Sequence, residues 1–559
     1  MGGGTQGRLA AGQAASLPHR PPGPPGRAAD ERRRAQQVAG LLNDAVLDRE
    51  LWQRAERSPD ATYVVDRSGA HCFAAVADRA RRLAGALRDL GVGRGDVVSF
   101  QLPNWVEAAV VFYATVSLGA VSNPIVPIYR ERELGFILGQ ARPTVAVVPT
   151  RFRGVDYVEL YDRAAEFGGN RPALVAVGEP GDTGRGVLAF DECASHAPAA
   201  PVEGRSGADR AALLYTSGTT ADPKGVLHSH ASLRYECRSI VEHCGLVASD
   251  VVFMASPVTH VTGLLYGLQL PVMIGASAVL DEVWDPAGAC ERIHRHACTF
   301  TVGATPFLHG LTTAGGAAGA PAVDSLRCFV CGGADIPPDL VVRATRDLGV
   351  SVVRAYGLSE LPTATCGGLQ DLPERRARTD GRPLPAGRVR VRGDDGRARE
   401  AGEGELEAIA PEMFLGYLDP TLDEAAFTED GWFRTGDLAS IDDDGYVTIR
   451  GRTKDIIVRG GENISAREVE DVLFEHPKVE QVAVVGLTDE VMGQRACAFV
   501  VPGDEAPSLA ELTEFLSTRG LARQKAPERL EIVDALPVTA SGKVQKHRLR
   551  AWAGDVATS

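Results

Sequence analysis

The segment Leu214-Tyr-Thr-Ser-Gly-Thr-Thr-Ala-Asp-Pro-Lys-Gly225 concentrates groups that bind oxygen anions. Thr216, Ser217, Thr219 and Thr220 supply hydroxyl donors, Gly218 leaves the backbone free to approach a ligand, and Lys224 adds a point charge. Such a loop suits the oxygens of a polyphosphate. It is not a Walker A loop, which needs Gly before Lys and Ser or Thr after it; Pro223 and Gly225 stand there. A polar surface turn would use the same residue types, since Ser, Thr, Gly and Pro are turn formers. Further segments follow. Gly332-Gly333-Ala334, after the apolar run Leu326–Val330, lets a backbone pass against a flat base. Tyr356-Gly357-Leu-Ser359-Glu360 sets an aromatic face, a hydroxyl and a carboxylate close together, and Trp432-Phe-Arg-Thr-Gly-Asp437 places a carboxylate after a turn, as an acceptor for a ribose diol would stand. Gly451-Arg452-Thr-Lys454-Asp455 is charged, and Pro537-Val-Thr-Ala-Ser-Gly-Lys543 ends in a lysine on a glycine-containing loop.

Singly, each segment has a plainer reading. Tyr356 could be core packing, Glu360 and Asp437 solvated loop carboxylates, and Lys543 part of a basic face with Lys546, Arg548 and Arg550. In this order, however, the segments resemble those of the adenylate-forming superfamily: acyl-CoA synthetases, nonribosomal-peptide adenylation domains and luciferases. The resemblance runs over roughly residues 45 to 550. It implies that the loop from Thr216 through Ser217, Gly218, Thr219 and Thr220 to Lys224 holds the ATP phosphates. Gly332, Gly333 and Ala334 would flank the adenine, with Tyr356 stacked on it and Gly357 in the same motif. Ser359 would bind the α-phosphate and Glu360 the Mg²⁺, while Asp437 and Arg452 hold the ribose hydroxyls. Lys543 would bridge the carboxylate and the α-phosphate in the transition state, and Lys454 would be a hinge. ATP, Mg²⁺ and CoA are thereby implied.

The resemblance also bears on the acid. Amino-acid adenylation domains place an aspartate near the position after Phe253, but Met254-Ala-Ser-Pro-Val-Thr-His260 has no carboxylate, and an ammonium left unpaired in a buried site would be costly. The expected pocket, His260, Val261 and Gly263 with Gly303 and Ala304, is apolar and uncharged, favouring a medium-chain, branched or alicyclic acid. His260 would gate it as in the family or serve as a satisfied core histidine. The segments Leu102–Trp105 and Asn123–Glu133 are similar to those of medium-chain and cyclohexanecarboxylate-type CoA ligases. Val458–Ser465 looks like the CoA-ligase hinge, with Gly460 and Gly461 along the pantetheine path. The alternatives are a ligase loading a carrier-protein phosphopantetheine and a non-catalytic nucleotide or acyl sensor. Three departures stand out: Ala221 replaces a usual glycine of the phosphate loop, Ser359 stands where threonine is commoner, and Glu282-Val-Trp-Asp285 lacks the lysine that helps many relatives bind CoA.

The elements that must position these residues alternate. Phe73, Val76, Leu83, Leu87 and Leu90 recur at helical spacing before Gly91; Val97–Leu102 reads as a strand, Trp105–Leu118 as a helix, Val145–Val148 as a strand. That alternation predicts parallel sheets with crossover helices as far as about residue 410. Beyond it lies a strand-rich stretch with turns at Asp430-Gly431 and Asp444-Gly445. A smaller α+β unit follows: Ser465 caps a helix to Phe474 with Glu468 completing a capping box, then come strands Val482–Val485 and Ala496–Val501, a helix near Leu509–Leu516 and a strand Leu530–Val533. The expected fold class is α/β. A large N-terminal domain of adenylate-forming fold (α/β subdomains plus a small β-rich subdomain) spans 41–453, and a small mobile α+β C-terminal lid carrying Lys543 spans 454–559.

Composition limits the partners. With 59 Lys+Arg against 73 Asp+Glu the formal charge is −14, which disfavours nucleic acid and anionic membrane. The 44% apolar and 24% charged content is that of a globular protein. Residues 1–40, with six arginines against Asp30 and Glu31 and no apolar periodicity, read as a disordered tail without a signal peptide. Ten cysteines in no regular framework suit reduced cytoplasmic thiols, and Cys328-Phe-Val-Cys331 reads as two buried strand residues, since no second ligand pair for zinc lies nearby. Ala255–Leu280 is long enough to span a bilayer, but His260, Gly263, Gly267, Gln269, Pro271 and Gly275 interrupt it, so a buried helix and strand are expected.

Overall fold

The computed structural model describes residues 42–178, 186–216, 223–317, 319, 323–334, 336–452, 455–459, 462–489, 492–519, 521–539 and 542–557. The expected tail, Ser217 to Thr220, Ala221, Lys454, Gly460 and Gly461 lie outside the described residues.

Two large sheets form first along the chain. In one, the strands Val97–Phe100, Val121–Pro124, Val145–Pro149, Ala173–Val177, Leu188–Ala189 and Arg210–Thr216 run parallel, and Lys224–Ser229 turns back antiparallel on Arg210–Thr216. In the other, Thr62–Asp66, Ser277–Leu280, Val251–Met254, Phe300–Gly303, Cys328–Gly332 and Ser351–Tyr356 are parallel, with antiparallel strands at both edges. The central strands, such as Val97–Phe100 and Val145–Pro149, are buried at every position, the pattern expected where helices cover a parallel sheet.

The helix Val106–Ser117 explains how the sheets share a core. All 12 of its residues are buried, and its side chains belong to the same apolar cluster as Val98 and Val147 of one sheet and Val252 and Phe300 of the other. Even its polar residues Glu107, Thr115 and Ser117 are buried, so the helix has no solvent face. Its neighbour Phe73–Asp89 buries Phe73, Val76, Leu83 and Leu87, as the spacing predicts, while Leu90 follows the helix partly buried and Gly91 has φ +94°.

The segment after Phe253 is largely buried, with a π-helical turn Gly263–Gln269 buried at every position, a helix Leu270–Ile274 and the strand Ser277–Leu280. Among the described residues no helix is long and apolar enough to cross a membrane. Cys328 and Cys331 are both fully buried in the strand Cys328–Gly332.

A five-stranded antiparallel sheet closes the large domain and ends with Val447–Arg452. Gly431 and Gly445 occupy its expected turns with φ +83° and +81°. The next strand, Ile456–Arg459, belongs to the small α+β domain. There Val479–Asp489 pairs antiparallel with Gly493–Pro502, and Arg529–Ile532 lies parallel beside the latter. Ser465 caps the helix Ala466–Leu473 by accepting from the Glu468 amide at 3.3 Å. The reciprocal half of the capping box is not made: both carboxylate oxygens of Glu468 are taken by Lys525 Nζ, at 2.8 and 2.6 Å.

Candidate active site

Ligand crevices of α/β sheets lie beyond the carboxyl ends of the strands. Here Gly303, Gly332 and Tyr356 end three adjacent strands of one sheet and Thr216 ends a strand of the other. All four line one cavity of about 1150 Å³, closed on its far side by the small domain.

Along one wall run Gly332, Gly333, Ala334, Tyr356 and Asp437. The Tyr356 hydroxyl donates to Asp437 Oδ2 at 2.5 Å, so the ring and the carboxylate are fixed relative to one another across 81 residues of sequence. Asp437 is 4% exposed and pairs in the sheet register with Arg452, whose backbone ends the neighbouring strand. A second wall carries Lys224, Ser359 and Glu360. Tyr417 donates to Glu360 Oε1 at 2.8 Å, and Lys224 Nζ sits 5.2 Å from the centre of the Tyr417 ring. The Ser359 carbonyl lies 2.7 Å from His228 Nε2. Burial lowers His228 to about 4, so the ring is neutral and donates to that carbonyl through Nε2–H. Between these walls the chain turns sharply at Gly357, where an added Cβ would stand 1.8 Å from the Pro362 carbonyl oxygen.

The third wall consists of His260, Val261, Thr262, Tyr266, Val302, Gly303, Ala304 and Val330. It bears no carboxylate, and its one titratable imidazole, His260, is pushed down to about 4, first by burial and then by the charge of Lys543. Asn104 holds the loop leading to His260: its amide nitrogen donates to the carbonyls of Met254, Ser256 and Asp281, and its oxygen accepts from the Val258 amide. Gly263 does not line the cavity. Its missing Cβ faces Pro257, whose carbonyl oxygen it would approach to 2.1 Å, so that glycine serves packing of the π-turn.

Lys543 reaches the cavity from the small domain. A tight turn presents it: Thr539 N donates to Lys543 O at 2.7 Å, and Lys543 N donates to Thr539 Oγ1 at 3.0 Å. Gly542 stands over Pro306 and Ala304, where a Cβ would lie 3.1 Å from Pro306 Cγ. Phe474 packs edge-on against His309 of the large domain, ring centroids 6.4 Å apart. The small domain is therefore docked with its lysine beside His260.

Of the residues singled out in the sequence, Thr216, Lys224, Gly332, Gly333, Ala334, Tyr356, Gly357, Ser359, Glu360, Asp437, His260, Val261, Gly303, Ala304 and Lys543 converge here. Sequence reasoning missed Tyr417, His228 and Asn104. Only His228 carried a signal, a polar residue following the apolar pair Val226-Leu227 of the strand Lys224–Ser229. The departure at Glu282 has a structural counterpart: its carboxylate accepts from Trp105 Nε1 at 2.5 Å and faces Arg67, while Trp284 packs edge-on against Phe307.

Aromatic, carboxylate, hydroxyl and ammonium groups thus face one cleft between two domains, and the family match gives the class of protein this is. The chain belongs to the AMP-binding enzyme family, whose pattern matches residues 51–418, with the family's C-terminal domain at 468–543. It is 36% identical over 530 residues to a medium-chain fatty-acid–CoA ligase of Escherichia coli K12, covering 93% of each chain. It is 34% identical over 529 residues to a salicyl-AMP ligase / salicyl-S-ArCP synthetase of Mycobacterium tuberculosis, again covering 93% of each. The anthranilate CoA ligase AuaEII, solved in complex with anthranoyl-AMP, superposes with a TM-score of 0.85 at 25% identity, over 93% of this chain and 100% of that one. The protein is an enzyme of the adenylate-forming acyl/aryl-CoA ligase family and has the fold of those enzymes.

Proposed function

We propose that the enzyme activates an apolar carboxylic acid (medium-chain, branched or alicyclic) as an acyl-adenylate and transfers the acyl group to CoA. The supporting observation is Lys543, brought by the small domain to the point where the uncharged His260–Tyr266 wall meets the Tyr356–Asp437 and Lys224–Glu360 walls. In the first half-reaction a carboxylate oxygen bonds to the α-phosphorus of ATP and the bond to pyrophosphate breaks. Two anions must meet, and Lys543 offsets their repulsion where charge develops. Tyr356 stacks on adenine between Gly332 and Ala334, Asp437 and Arg452 take the ribose hydroxyls, Ser359 faces the α-phosphate, and Lys224 with the loop from Thr216 through Ser217, Gly218, Thr219 and Thr220 takes the departing phosphates.

Glu360 is a single carboxylate, and no cluster of three or more metal-ligating side chains occurs among the described residues. That donor set fits Mg²⁺, which prefers one or two carboxylates together with substrate phosphates and water. Bound there, Mg²⁺ would neutralise phosphate charge; Tyr417 keeps Glu360 oriented for it. In the second half-reaction the CoA thiolate attacks the acyl carbonyl and AMP leaves. We place the domain boundary at 453/454 and the hinge at Lys454, so that rotation of residues 454–559 withdraws Lys543 and opens a pantetheine path past Gly460 and Gly461. Ten cysteines, none disulfide-bonded, suit a reducing compartment such as the cytoplasm.

The similarity to a salicyl-S-ArCP synthetase supports a second reading, transfer to a carrier-protein phosphopantetheine. Incubation with ATP, Mg²⁺, CoA and a panel of straight-chain, branched and alicyclic acids separates the two. Acyl-CoA formation with at least one acid is expected; pyrophosphate release without thioester for every acid would favour the carrier protein.

A further inference from the structure

The strand Lys224–Ser229 carries Lys224 and His228 on one face, with Val226 between them. Lys224 opens on the cavity, whereas His228 is fully buried. Burying a polar ring costs stability unless it is bonded, and this one is met at both nitrogens. Nε2 lies 2.7 Å from the Ser359 carbonyl, 131 residues on, and Nδ1 lies 3.3 Å from Ser232 Oγ on the next helix. The loop that His228 reaches is tight. The Leu358 and Leu361 amides donate to one another's carbonyls at 2.9 and 3.2 Å, and Gly357 lies flush against Pro362. Glu360 has its own anchors, the Phe414 amide on its carbonyl at 2.8 Å and Tyr417 on its carboxylate. The Phe414–Tyr417 segment is tied to the Lys224 strand in turn, since Leu415 N donates to Leu227 O and Leu418 N to Gly225 O, both at 2.7 Å. His228 adds a tie from that same strand to Ser359. Holding the Ser359 carbonyl fixes the Ser359–Glu360 peptide, and with it the direction in which the serine side chain leaves the backbone.

We propose that His228 is a positioning residue for adenylation: by holding the Ser359 carbonyl it sets the Ser359 hydroxyl against the α-phosphate, in register with Lys224 on the same strand. The inference rests on the reading of Ser359 as the α-phosphate contact. A group misplaced by about 1 Å at the reacting centre can cost up to about 10²-fold in rate. ATP held along its adenine, ribose and outer phosphates would bind nearly as before. His228→Leu removes the donor. His228→Gln places an amide nitrogen near the position of Nε2, and His228→Asn stays polar but stops one bond short.

The measurement is a double-mutant cycle between His228 and Ser359. It is read as single-turnover pyrophosphate release from ATP, Mg²⁺ and the best wild-type acid. Calorimetric binding of α,β-methylene-ATP, which cannot release pyrophosphate, and a thermal melt accompany each variant. His228→Leu should slow release about tenfold or more while binding α,β-methylene-ATP within about twofold of wild type. His228→Gln should recover most of the rate. In a Ser359→Ala background, adding His228→Leu should cost less than about twofold, because the hydroxyl it positions is gone. Equal fold-losses in both backgrounds overturn the proposal, as does a loss of rate matched by a loss of nucleotide affinity. His228→Gln as slow as His228→Leu overturns it too. If His228→Leu does not melt cooperatively, the cycle is run with His228→Asn, and equal fold-losses in its two backgrounds overturn the proposal. Undiminished release in Ser359→Ala overturns the reading of Ser359 on which the inference rests. Wild-type protein releasing no pyrophosphate with any acid overturns the functional reading itself, and this inference with it.

Discussion

At the scale of single residues the cavity wall is built from hydrogen-bonded pairs of side chains that are distant in sequence. Tyr356 with Asp437 and Glu360 with Tyr417 are the two clearest, at 2.5 and 2.8 Å. Removing the Tyr356 hydroxyl should weaken ground-state and transition-state binding alike. Tyr356→Phe is therefore expected to raise KM for ATP roughly fivefold, for a hydrogen bond of about 1 kcal/mol, with kcat little changed; steady-state kinetics with varied ATP would show this, and a fall in kcat alone would contradict it. Asn104 acts on structure rather than on substrate. Asn104→Ala removes the side-chain donor to the Ser256 and Asp281 carbonyls and the acceptor of the Val258 amide, while the Met254 carbonyl keeps the Asp281 amide, so a loss on the order of 3 kcal/mol in denaturant unfolding is expected. These pairings mark the limit of what the chain reveals as text. The segments around Lys224, Gly332, Tyr356, Asp437 and Lys543 could be read from residue type and order, and they meet at one cavity. Tyr417, 57 residues from Glu360, could not, because periodicity carries no information about which distant side chains touch.

At the scale of elements, the helix Val106–Ser117 and the helix Ala466–Leu473 show two ways in which local pattern meets tertiary context. A mostly apolar helical run is ambiguous alone; two sheets flanking it settle its burial on every face, Glu107 included. The Ser465–Glu468 pattern reads as a reciprocal cap, yet Lys525, far along the chain, competes successfully for the carboxylate. Ser465 retains a second task. Its hydroxyl donates to the Arg450 carbonyl at 2.5 Å, joining the first helix of the small domain to the last strand of the large one. Ser465→Ala should cost about 1 kcal/mol of stability and slow acyl-adenylate formation more than thioester formation, since it frees the small domain from its docked position. Parallel assays of the two half-reactions test this; equal effects on both would show that the contact does not bias docking.

At the scale of the whole molecule, the fold hides ionisable groups that tie stability to pH. Burial lowers both His228 and His230 from 6.5 to about 4. The unfolded chain binds these protons more tightly than the folded one, so stability is lost as pH falls from about 6.5 toward 4 and no further below it, on the order of 2 kcal/mol per imidazole by pH 5. His228→Gln, which can still donate to the Ser359 carbonyl, should show a smaller loss between pH 7 and pH 5 in urea unfolding; a loss equal to wild type would contradict the assignment. The same scale decides the enzymology. The large domain supplies most of the cavity walls and the small domain brings Lys543 to them, with Gly542 against Pro306 and Ala304; under the proposed function these are the nucleotide and acid walls. The most direct measurement compares the two half-reactions in Lys543→Ala. Pyrophosphate release from ATP and acid should fall by about 10² to 10³, while thioester formation from preformed acyl-adenylate and CoA stays within a few-fold of wild type. Undiminished pyrophosphate release, or equal loss of both steps, would contradict the placement of Lys543 at the adenylation transition state.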